Sequence, residues 1–79
     1  MAEIKFEIIK HLAVLSEGAK GWTKEINIVS WNNRKPKADI REWDENHEQM
    51  SKGVTLNRED MMNLQELLQN LNIEELGIE

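Results

Sequence analysis

The sequence predicts an α+β domain, four antiparallel strands followed by one C-terminal amphipathic helix (ββββα), and three observations predict it. Up to Leu56 the chain is divided by turn signals into apolar-rich runs of strand length. From Asn57 onward an apolar stripe at helical spacing follows a good N-cap. With 79 residues there is room for one domain spanning residues 1–79 and one small core, so a homodimer is expected as the source of added burial.

The first strand is expected over about 4–16. Ile4, Phe6, Ile8, Ile9, Leu12, Val14 and Leu15 are interleaved with Lys5, Glu7, Lys10 and His11. Phe6, Ile9 and Ala13 also share a helical face, but Ile and Val dominate, and Phe6, Ile8, Leu12 and Val14 keep a period of two, which favours a strand. Ser16 to Gly21 carries two glycines and reads as a turn.

The second strand is expected over 22–31, with Trp22, Lys24, Ile26, Ile28 and Ser30 on one face and Thr23, Glu25, Asn27, Val29 and Trp31 on the other. Asn32-Asn33-Arg34-Lys35-Pro36 makes a polar hairpin loop, because proline has no place in a central ladder. A third strand follows over 37–44, then a polar loop over 45–52 and a short closing strand over 53–56.

Asn57 caps a helix over about 58–71, with Asp60 in the capping-box position and Leu56 able to staple onto Met61. Acidic residues in its first turn suit the helix dipole. Met61, Leu64, Leu67, Leu68 and Leu71 form the apolar stripe, the candidate dimer interface. Residues 72–79 read as a tail with a short extra turn.

The formal net charge is −5, but the charge is segregated. Residues 20–41 carry a net +4 and residues 53–79 a net −5. A basic middle permits a positive surface on an acidic protein, and an acidic tail on a solvated helix is an equally ordinary source of the imbalance. Cysteine is absent, which removes disulfides, thiolate metal sites and thiol nucleophiles. No stretch has signal-peptide or membrane-spanning character, so a cytoplasmic, nucleoid-associated location is expected. His11 and His47 lack metal-ligand spacing, no acid–base pair stands out and no phosphate loop follows a strand, so neither metal, cofactor nor enzymatic activity is expected.

Three tryptophans accompany a single phenylalanine and no tyrosine. Trp22, Trp31 and Trp43 all lie in or beside the basic strands, where an indole either stacks on a base or packs in a core or dimer interface. Lys20, Lys24, Arg34, Lys35, Lys37, Arg41 and Lys52 supply cations able to track phosphates, although clustered hairpin cations are also ordinary solvated residues. Alternation on adjacent strands is expected to bring Lys24 and Arg41 onto one surface beside Trp43, with a cross-strand ion pair from Arg41 to Glu25 or Asp39.

The run Ala38-Asp39-Ile40-Arg41-Glu42-Trp43, followed after a polar loop by Met50-Ser51-Lys52-Gly53-Val54-Thr55-Leu56-Asn57, resembles the positive cofactor four (transcriptional coactivator p15-like) single-stranded DNA-binding family. Its bacterial YdbC-type members are the nearest in character. The resemblance covers roughly residues 20 to 68. It implies a curved four-stranded sheet, dimerisation through the helices and single-stranded DNA along the sheets. Arg41 and Lys52 match DNA-contacting basic positions, Lys24, Lys35 and Lys37 fall near the basic strand and hairpin, and Trp31 falls near the hairpin aromatic. Trp43 matches an aromatic position, whereas Asp44 stands where the family's coactivator has a second one.

The residues and the resemblance together lead us to expect a binder of single-stranded DNA, with RNA as a further ligand, showing little sequence preference. The rival from another class is a protein-interaction or regulatory module that uses the helix stripe and acidic tail.

Overall fold

The computed structural model describes residues 4–79. One antiparallel sheet holds β1 (Phe6–Glu17), β2 (Thr23–Trp31), β3 (Lys37–Trp43) and β4 (Val54–Leu56) in the spatial order β1-β2-β3-β4, and a helix α1 (Arg58–Gln69) follows. Short 3-10 turns cover Ala19–Gly21 and Ile73–Leu76. The α+β reading holds, with each strand within two residues of its expected bounds.

Asn32 and Asn33 both adopt left-handed backbone (φ 51° and 62°), which asparagine tolerates better than most residues, and they turn β2 sharply into the five-residue connection to β3. This connection sets the register. Val29 pairs with Lys37, Asn27 with Asp39, Glu25 with Arg41 and Thr23 with Trp43. Directly paired residues share a face, so these define a front face. Lys24 pairs with Glu42 and Ile26 with Ile40, on the back. The expectation that Lys24 and Arg41 share a surface is therefore corrected: the hairpin register puts Glu25, not Lys24, opposite Arg41.

β1 departs from a regular strand. Its pairing with β2 shifts between Ile8 and Lys10, between His11 and Ala13, and between Val14 and Ser16. Ile9, Leu12 and Leu15 are the residues left over, one bulge every third position. Each bulge resets the alternation, so the front face receives Phe6, Ile8, His11 and Val14. Leu12 does not join Phe6 and Ile8 as a period of two predicts; it is a bulge residue and exposed. The three-residue recurrence also explains why the segment carries a partial helical signature.

The core is small and mixed. Val29, Ala38 and Trp43 are its buried apolar residues, and Glu25, Asn27 and Asp39 are buried with them. α1 begins with a full capping box, Asn57 Oδ1 accepting from the Asp60 amide at 2.8 Å and Asp60 Oδ2 from the Asn57 amide at 3.0 Å. It lies behind the sheet and leaves an open apolar groove of about 840 Å³ lined by Ile26, Met61, Leu64 and Leu68 among others. Met61, Leu64 and Leu71 are half-buried, whereas Leu67 and Leu68 stay half-exposed. The helix ends at Gln69, so Leu71 lies just beyond it, after the Asn70 cap. The radius of gyration is 14.2 Å, against about 11.6 Å for a compact chain of this length. The long β1–β2 hairpin and the uncovered helix stripe account for the excess. Among the described residues no helix is long and apolar enough to cross a membrane.

Candidate nucleic-acid interface

The front face centres on Arg41. Its Nε and Nη2 donate to the two carboxylate oxygens of Asp39 at 2.6 and 2.7 Å, and its Nη1 donates to the Ser51 carbonyl at 3.2 Å. Asp39 is completely buried and the Arg41 side chain is 13% exposed. The bidentate pairing fixes the plane of the guanidinium. Trp31 covers that plane, the Arg41 carbon Cζ lying 4.5 Å from the ring centre. Of the two partners expected for Arg41, Asp39 is the one it takes, along its own strand rather than across strands, and Glu25 is engaged elsewhere.

The close fit extends to the loop that follows β3. A Cβ built on Gly53 would lie 2.4 Å from Arg41 Cβ and 2.4 Å from the Ile40 carbonyl oxygen. Only glycine lets the chain pass flat over Arg41. Exposed Lys52 precedes it in sequence. On the hairpin, Arg34, Lys35 and Lys37 are exposed, and Lys37 shares the front face with Asp39 and Arg41. The turn that presents them is pinned by Ser30 Oγ donating to the Arg34 carbonyl at 2.7 Å and by the Arg34 amide donating to the Trp31 carbonyl at 2.9 Å.

Trp31, Arg34, Lys35, Lys37, Arg41 and Lys52 therefore form one continuous region around the Trp31–Arg41 stack. The other candidates lie elsewhere. Lys20 and half-buried Trp22 sit at the opposite end of β2, about 30 Å of strand away. Lys24 faces the back. Trp43 is completely buried, its ring 5.1 Å from Phe6 and 5.7 Å from His47. It offers no free face to a base, so the expectation of a stacking role for Trp43 is replaced by one in packing. Phe6 also meets Trp31 at 5.9 Å. Among the described residues the indole N–H groups of Trp31 and Trp43 are buried without a hydrogen-bond partner, so ring contacts, with Arg41 and Phe6 for Trp31 and with Phe6 and His47 for Trp43, hold them.

Sequence reasoning missed a second cluster on the same face. Glu25, 2% exposed, accepts hydrogen bonds from Thr23 Oγ1 and from Asn27 Nδ2 (3.1 Å), and meets His47 Nε2 at 2.9 and 3.0 Å. His11 Nδ1 lies 2.7 Å from Asn27 Oδ1 and 3.6 Å from Glu25. Burial opposes ionisation of Glu25, yet the hydrogen bonds from Thr23, His47 and Asn27 and the adjacent His47 charge outweigh it and hold the carboxyl below its ordinary value of 4.5. Nothing in the spacing of His11 and His47 announces this meeting. Phe6 left a faint signal, as the only phenylalanine on a period-two strand.

A family profile described as Transcriptional Coactivator p15 (PC4) matches residues 19–67. The matched segment spans β2, β3, β4 and most of α1 and leaves β1 outside. An uncharacterized protein of Treponema pallidum (strain Nichols) is 35% identical over 72 residues, covering 91% of this chain and 85% of that relative. The profile covers well over half of the chain, so the chain belongs to the transcriptional coactivator p15 (PC4) family, whose role is nucleic-acid-binding and coactivator-like.

Proposed function

We propose that the protein is a non-enzymatic, cytoplasmic homodimer that binds single-stranded DNA along its front face with little sequence preference. The observation that carries this reading is the Trp31–Arg41 stack. A planar cation, oriented by a buried carboxylate and covered by an indole, sits among the exposed cations Arg34, Lys35, Lys37 and Lys52. Phosphate contacts from such a surface are independent of sequence, and stacking tolerates any base. Phosphate contacts and base stacking do not distinguish a 2′-hydroxyl, so single-stranded RNA is a further expected ligand.

The test is fluorescence anisotropy with labelled oligo-dT and the matching duplex at low and physiological salt. Preference for the single strand, falling with salt and lost in a Trp31→Ala, Lys52→Ala variant, supports the reading; equal or absent binding refutes it.

The half-open helix stripe supports a second reading, a protein-interaction module. Leu67 and Leu68 stay half-exposed over an apolar groove. Light scattering separates the two: a dimer closes the stripe on a second copy, whereas a stable monomer leaves it for a different protein.

A further inference from the structure

Three elements converge on the buried carboxylate of Glu25. β2 provides Glu25 itself with Thr23 and Asn27, β1 provides His11, and the connection between β3 and β4 provides His47. That connection is internally hydrogen-bonded. Asp44 Oδ1 accepts from the amides of Glu48 and Gln49, the Ser51 amide donates to the Glu42 carbonyl, and Trp43 bridges Met50. His47 stands at its turn in left-handed backbone, φ 57°, a region in which histidine is among the enriched non-glycine residues. Among the described residues it is the one side chain of this connection hydrogen-bonded to β2.

The other end of the same connection seats Arg41. The Ser51 carbonyl and Met50 Sδ both meet Arg41 Nη1, at 3.2 and 3.5 Å, and Lys52 and Gly53 follow. One hydrogen-bonded segment thus touches Glu25 at one end and Arg41 at the other, the contiguity through which the state of the first contact can bias the second. The charges point the same way. His11 and Glu17 from β1 and Arg41 and Asp39 from β3 share the face of Glu25, and His47 reaches it from the connection, whose other titratable groups are Asp44, Glu45, Glu48 and Lys52. Arg41 is already paired with Asp39. The charge of Glu25 is therefore left to be answered by an imidazolium, His47 nearest and His11 next.

We propose that His47, clasped to Glu25, is a positioning residue that sets the Lys52-bearing segment against Arg41 and makes the affinity of the front face for single-stranded DNA rise as the pH falls. The inference rests on the single-strand reading above. Imidazoles change charge between about pH 5 and 8. A charged His47 cancels Glu25 beside the phosphate path and tightens the clasp. A neutral His47 leaves the Glu25 carboxylate with its hydrogen bonds from Thr23 and Asn27 but without a balancing charge.

The test is an oligo-dT anisotropy titration from pH 8 to 5.5 on the wild type, His47→Gln and His47→Ala, with tryptophan emission of the unliganded proteins followed over the same range. The His47 ring lies against Trp43, so a step in unliganded emission that vanishes in His47→Gln reports the clasp without any DNA. The wild type is expected to tighten about three- to fivefold on acidification, the scale of one partly screened charge pair. His47→Gln, which still hydrogen-bonds Glu25, is expected to bind as the wild type does at pH 8 and to show no tightening. His47→Ala is expected to bind more weakly throughout, with a shallower salt dependence as Lys52 loses its place. An emission step with salt-sensitive but pH-independent binding overturns the inference and leaves the single-strand reading standing. An absent emission step overturns the clasp itself. Absence of oligo-dT binding at every pH overturns both readings together.

Discussion

Arg41 and Asp39, two residues apart on β3, point to the same side and bind through two parallel N–H···O contacts, so the most oriented cation on the protein is held by a carboxylate with no access to water. Removing the cation strands the anion. Arg41→Ala is expected to destabilise the fold by about 3–5 kcal/mol, the cost of a buried charge left unpaired. The double variant Arg41→Ala, Asp39→Ala is expected to recover much of that loss. Urea unfolding of the three proteins measures it; additive effects of the two substitutions would contradict the pairing.

Trp31 and Trp43 are expected to separate binding from packing. Trp31→Ala removes the cover of Arg41 and is expected to weaken oligo-dT binding by about 1–3 kcal/mol, the worth of one stacked base, with a smaller effect on stability. Trp43→Ala empties the centre of the core and is expected to cost about 3–5 kcal/mol of stability. Thermal denaturation alongside anisotropy checks both, and the quenching of emission by oligo-dT is expected to vanish with Trp31.

Gly53→Ala places a methyl group 2.4 Å from both Arg41 Cβ and the Ile40 carbonyl. Neither neighbour is the loose end of a flexible side chain, so β4 must shift. The expected loss is about 1–3 kcal/mol, that of an overpacked site, with Lys52 displaced and oligo-dT affinity reduced. A denaturation midpoint equal to that of the wild type would show that the strand yields freely.

Glu25 is expected to shape the acid limb of stability. Its folded-state pKa lies below its ordinary 4.5, so folding favours the ionised form. That contribution is complete above about pH 4.5 and is lost as the pH falls through the lower folded-state value. Urea midpoints measured from about pH 7 down to 3 are expected to decline less steeply at the acid end in Glu25→Gln than in the wild type, although the variant starts from lower stability.

How much of this was legible in the sequence depended on how local each signal is. The capping box of Asn57 and Asp60 and the stripe Met61, Leu64, Leu67, Leu68 and Leu71 depend on neighbours within a few residues, and α1 follows from them almost to its last turn. The facing of Lys24 against Arg41 depends on which residues the β2–β3 turn sets opposite one another, and composition alone does not state that register. β1 hides its bulges because each resets the alternation that would reveal a face. His11 and His47 meet at Glu25 only because β1 pairs with β2 while the β3–β4 connection folds onto the same strand. Trp43 illustrates a different limit: a buried indole and a base-stacking one have the same neighbours in sequence, and only burial tells them apart.

The three bulges of β1 also give the strand slack in length. Ile9, Leu12 and Leu15 are each surplus to the pairing with β2, so excising any one of them joins two residues that already face opposite ways. Every paired side chain downstream then keeps its side of the sheet. Excising His11 or Ala13 instead lets Leu12 fall into the vacated place, so a single paired side chain is exchanged for leucine while the rest keep their sides. Related chains can therefore differ in the length of this hairpin arm by one, two or three residues and still present the same front face, provided the residues lost are the ones that nothing opposes.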